Sequence, residues 1–113
     1  MNIEGTWKLE INGLHGWERI ATVFLENGRY LSASADHYSI GTFVKDGKKF
    51  IAETSTFQYG NIRTIFGSKH EKLNTILRGK IKKGGTIVGT VTPTNLKASE
   101  TQVRLFRLGG LEV

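Results

Sequence analysis

In "GTFVKDGKKFIAE", residues 41–53, two strand-like runs meet at a tight-turn signal. Runs of β-branched and aromatic residues flank Asp46-Gly47, a dipeptide suited to the positive φ of a two-residue hairpin turn. The stretch therefore predicts strand, tight turn, strand. The same signature recurs on both sides of it. "WERIATVFLE", Trp17–Glu26, ends at Asn27-Gly28, and "RYLSA" follows it. "KLNTILRGKI" runs towards Gly84-Gly85, "TIVGTVT" returns, and "TQVRLFRL" comes after Pro93. At the front, "IEGTWKLEI" alternates, with Gly5, Trp7, Leu9 and Ile11 on one face and Thr6, Lys8 and Glu10 on the other. These segments predict about eight strands at a spacing of roughly 8–12 residues.

Helical periodicity is missing throughout. The one long irregular stretch, Gln58 to Glu71, is expected to hold a short helix or a folded loop. The 14 glycines against one proline suit a chain in which nearly every backbone N–H is bonded. Tight connections favour a meander, and a meander of many strands exposes two edges unless it closes. The expectation is one domain over residues 1–113, an all-β, up-and-down antiparallel β-barrel. A five-stranded oligonucleotide-binding barrel would accommodate so many strands badly.

Composition narrows the function. With no cysteine, disulfide scaffolds and thiolate metal sites are excluded. The opening "MNIEGTWKLE" lacks the basic start and apolar run of a secretory signal. No apolar stretch approaches the roughly 18 residues of a membrane span, so a cytoplasmic protein without a membrane span is expected. His15, His37 and His70 fall in separate turns or loops, no serine sits in a nucleophile elbow, and no glycine run forms a phosphate loop. No enzyme activity, metal or cofactor is expected.

Binding is left, and four features bear on it. The Lys45, Asp46, Gly47, Lys48, Lys49 turn carries three lysines around one carboxylate, as a contact for an unknown protein partner or as a solvated turn guarding an apolar strand. In "LRGKIKK", Arg78, Lys80 and Lys82 share one strand face, with Lys83 beside them. Spacings of about 7 Å per step let such a stripe track a phosphate backbone. Exposed rings for base stacking are missing beside it, so nucleic acid ranks last despite the net charge of +6. Trp7, Leu9, Leu31, Phe50, Leu77 and Val91 are expected inside, interspersed with Thr42, Thr54, Thr75 and Gly89. They would either pack the barrel or leave room for a small apolar ligand. Finally, the strands at Trp17–Glu26 and "VRLFRL" are apolar on both faces. A closed meander sets them one strand apart, so Ile20, Phe24, Phe106 and Leu108 would form an outer patch suited to a homodimer.

Two family resemblances are carried by these residues. "GTWKL", Gly5 to Leu9, resembles the first strand of fatty-acid-binding proteins and lipocalins. This implies a lipocalin-like barrel in which a cation of the last strand, Arg104 or Arg107, packs over Trp7. More of the chain is similar to the GrlR-like family of small bacterial regulatory proteins. Asn27-Gly28, Tyr38, Gly41-Thr42-Phe43 and Asp46-Gly47 follow its order without gaps, and "TIFG" and "LRGKI…GTIVGTV" resemble its second half. That resemblance implies a dimeric lipocalin-like barrel whose namesake binds and restrains a transcriptional activator. The family's "Gly-Gly-Asp" step is Ser32-Ala33-Ser34 here, and its exposed acidic hairpin is "KDGKK". With the charge reversed, this hairpin is expected to meet a different partner.

Overall fold

Alternating side chains and short turns close the chain on itself. The computed structural model describes residues 2–13, 15–35, 37–58, 72–95 and 100–110. Its strands are β1 (Gly5–Gly13), β2 (Gly16–Glu26), β3 (Arg29–Ala33), β4 (His37–Asp46), β5 (Lys49–Gln58), β6 (Lys72–Ile81), β7 (Ile87–Pro93) and β8 (Thr101–Gly109). Each pairs antiparallel with the next, and β8 returns to β1, giving a closed eight-stranded barrel. The up-and-down architecture is as expected. Gln58 ends β5, and the rest of the irregular stretch to Glu71 lies outside the described residues. Among the described residues no helix is long and apolar enough to cross a membrane.

The turns behave as their dipeptides demand. Asn27 and Gly28 adopt φ of 51° and 74°, and Gly47 adopts 61°. These turns and the β6–β7 connection lie at one end of the barrel, here the lower end. Glycine also permits close strand approach: a Cβ on Gly41 would strike the Glu53 carbonyl, and one on Gly89 the Arg78 carbonyl.

The lower end is closed by the segment before β1. Ile3 and Trp7 are buried, and the Trp7 indole donates to the Ile3 carbonyl at 2.9 Å. Of the two cations expected over Trp7, Arg107 takes the role, 6.0 Å from the ring centroid, and donates to the Asn2 and Glu4 carbonyls. Around Trp7 the core is Val23, Leu25, Phe50, Ile87 and Leu105, all fully buried.

Two register shifts change which side chains face in. Between Leu9 and Glu10 the β1–β2 pairing skips Ile20, since Ala21 faces Leu9 and Arg19 faces Glu10. Ile20 thereby packs against the core and does not join the outer patch proposed for it. The β1–β8 pairing shifts between Thr6 and Trp7 and leaves Leu108 unpaired and 59% exposed. Leu31 and Thr42 also depart from expectation, because both point outwards. In β3 it is Tyr30 and Ser32 that face in, and period-two alternation then forces Leu31 to the solvent.

Candidate functional site

The interior was the first candidate. Hydroxyls share it with hydrocarbon: Ser32, Ser39, Thr54, Thr56 and Thr75 are buried, as is Tyr30. They pair with one another, Ser39 with Thr56 and Thr54 with Thr75, each at 2.7 Å. His37 opens β4 as a strand residue, not the loop residue expected, and its Nδ1 lies 2.9 Å from the Ser34 hydroxyl. Leu9, Leu77 and Val91 line the remaining space as expected, whereas Trp7 and Phe50 fill the barrel away from it. That space is about 30 Å³, room for a water or two and not for a lipid. No three His, Asp or Glu side chains gather as metal ligands among the described residues.

The threonine pair gives a direct test of how the interior is held. Thr54→Val strands the Thr75 hydroxyl in the core and is expected to cost about 1–3 kcal/mol. Thr54→Val with Thr75→Val removes both partners and is expected to recover most of that loss. Chemical denaturation of the two singles and the double closes the cycle; additive losses would contradict the pairing.

On the outer face of β2, β1 and β8, Arg104 is held from three sides. Its Nε donates to Glu10 at 2.7 Å, and its guanidinium lies 3.9 Å from the Trp17 ring centroid and 5.3 Å from that of Phe106. This hydrogen bond holds the Glu10 carboxyl below the usual range, with Lys8 adding to the effect and burial opposing it. Lys8 also sits over Phe106, 4.9 Å from its centroid. Phe106 is thus half-covered by cations, and no continuous oily patch joins it to Phe24 and Leu108.

Phe24 instead belongs to a different face. It pairs with Leu31, and Leu31 pairs with Ile40, forming a row across β2, β3 and β4. The three are 40%, 48% and 48% exposed. Thr6 and Ser55, both uncharged, flank the row. Beside it Tyr38 and Phe57 stack with centroids 5.2 Å apart. Leu31, Ile40 and Tyr38 were missed as surface residues. Their signal was present, since Ser32 and Ser39 occupy the alternate positions.

The charged features also regroup. Lys49 lies directly opposite Lys80, Ile51 lies opposite Arg78, and the Lys48 carbonyl accepts the Ile81 N–H at 2.7 Å. The hairpin and the stripe therefore adjoin: Lys49, Arg78 and Lys80 share one outer face, with Lys48, Lys82 and Lys83 in the turns at its lower end and Lys45 on the alternate face of β4. None of the seven cations forms an ion pair among the described residues.

Known proteins add no assignment. The chain matches no family model, and no curated protein matches it. The surface has to speak for itself. It offers two faces of opposite character, an uncharged apolar row on β2–β4 and a cationic face on β4–β6 with its adjoining turns, around an interior whose cavity among the described residues is about 30 Å³.

Proposed function

We propose that this chain is a non-enzymatic, cytoplasmic binding protein of the regulatory or adaptor kind, working through protein contacts on the outside of its barrel as a homodimer. The observation that carries this reading is the exposed Phe24–Leu31–Ile40 row, outside a core whose cavity among the described residues is about 30 Å³. Contiguous exposed hydrophobics on a folded domain mark association surfaces. The occupant is a second copy of the chain, for an electrostatic reason. Two molecules of net charge +6 repel wherever cations meet, and this row has none. The resemblance to GrlR-like regulators supports the same reading. Carriage of a small apolar ligand is disfavoured, because burying such a ligand needs several hundred Å³.

Native mass spectrometry of freshly purified protein tests this in one measurement. The expected spectrum shows twice the chain mass and no added small molecule. Leu31→Lys with Ile40→Lys is expected to weaken the dimer at least roughly a hundredfold, since two apolar anchors become desolvated charges. A wild-type monomer, or a barrel carrying an apolar ligand, would overturn the reading.

A further inference from the structure

We infer that the cationic face of β4–β6, with its adjoining turns, is a docking site for an acidic segment of a partner protein, one that carries aliphatic side chains among its carboxylates. The inference rests on the reading of this barrel as a protein-binding module and names the chemistry of what it binds.

Like charges placed directly across a strand pair destabilise a sheet, yet Lys49 faces Lys80 here. Lys82 and Lys83 follow in the next turn, and Lys45 and Lys48 sit in the adjoining hairpin. Asp46 lies in the hairpin turn and Glu53 on the outer face of β5 beyond Ile51, but no ion pair offsets these cations among the described residues. An anion arriving from outside relieves that repulsion. Polymers of phosphate and polymers of carboxylate both supply such charge, and the uncharged part of the face separates them. Val44 and Ile51 pair across β4 and β5 on the outer surface, 65% and 41% exposed, and Ile51 continues to Arg78. These are branched aliphatics. They offer no π-face on which a base stacks, but they give a leucine or isoleucine of a peptide something to cover. Closure of the barrel constrains the mode of binding as well. With β5 and β6 each paired on both sides, the segment is held by side chains and not by strand addition.

Fluorescence anisotropy tests this with four probes at physiological salt. They are a labelled peptide of alternating glutamate and leucine, a polyglutamate of equal length, a single-stranded oligoribonucleotide, and vesicles containing phosphatidylserine. The glutamate–leucine peptide is expected to bind at least roughly tenfold tighter than polyglutamate, because only it covers Val44 and Ile51. Lys49→Glu with Lys80→Glu is expected to weaken it by roughly thirtyfold or more. Val44→Ser with Ile51→Ser is expected to weaken the same peptide severalfold without changing polyglutamate. All four positions are on the surface, and Lys82→Glu with Lys83→Glu repeats the charge test within a turn. Equal or tighter binding of the oligoribonucleotide or the vesicles overturns the inference. So does indifference to Val44→Ser with Ile51→Ser, or the absence of binding by the peptide. None of these results alters the dimer mass, so failure here is distinguishable from failure of the binding-module reading.

Discussion

Trp7→Ala is expected to lower the unfolding free energy by about 3–5 kcal/mol, the range for deleting a buried large aromatic. Three losses coincide at this position. The fully buried indole fills the space between Ile3 and the lower core, so its removal leaves a void. Its N–H satisfies the Ile3 carbonyl, which has no described substitute. Its ring is also the platform under Arg107, whose guanidinium ties residues 2 and 4 to the end of β8. For a domain whose whole stability is on the order of 5–15 kcal/mol, the variant sits close to unfolding. Urea denaturation with an unchanged slope measures the loss. Trp7→Phe separates the contributions, because it restores most of the volume while leaving the Ile3 carbonyl unpaired. Arg107→Ala is expected to cost far less, about 0.5–2 kcal/mol, since the cation is exposed. A Trp7→Ala protein as stable as the wild type would mean that the lower end is not closed in this way.

The contrast between Trp7 and Leu31 marks what the sequence makes legible. Strand count, turn positions and closure follow from period-two alternation and from Asn-Gly and Asp-Gly, which act locally. Residues of β1 were assignable to their faces because polar and apolar positions alternate cleanly there. In "RYLSA" hydrophobicity misleads. The tyrosine and the serine go inside, where the Tyr30 and Ser32 hydroxyls bond each other, on a wall whose further hydroxyl pairs come from β4, β5 and β6. Leucine is then left outside to cover a neighbour. Ile20 was misplaced for a second reason. A bulge inverts parity beyond it, and nothing in "WERIATVFLE" fixes where the extra residue lies. The choice between Arg104 and Arg107 likewise turned on the shift between Thr6 and Trp7, which sets Arg107 opposite the indole. Merging of the hairpin with the Arg78–Lys83 stripe needed the β5–β6 register. The sequence between those strands is long and carries no two-residue turn signal, so turn length could not supply it.

Alkaline solution is expected to unfold the protein, and Tyr30 is the group expected to drive it. Burial pushes this phenol above its ordinary range, while the neighbouring Ser32 hydroxyl pulls more weakly the other way. In the unfolded chain the phenol ionises near pH 10, whereas in the barrel it keeps its proton beyond that. Below pH 10 both states are protonated, and the contribution to stability is complete. As pH rises further, ionisation favours the unfolded chain, and stability falls by about 1.4 kcal/mol per pH unit. Between pH 10 and 12 the loss approaches about 3 kcal/mol, a large share of a marginal domain's stability. Tyr30→Phe provides the control. It removes the ionisable group, gives up the bond to Ser32 at a cost of about 1 kcal/mol near neutrality, and is expected to flatten the alkaline slope. Denaturation at several pH values, followed with phenolate absorbance, reads both quantities. An alkaline slope that survives Tyr30→Phe would place the titrating group elsewhere and remove Tyr30 from its role as the buried proton of the hydroxyl-lined wall.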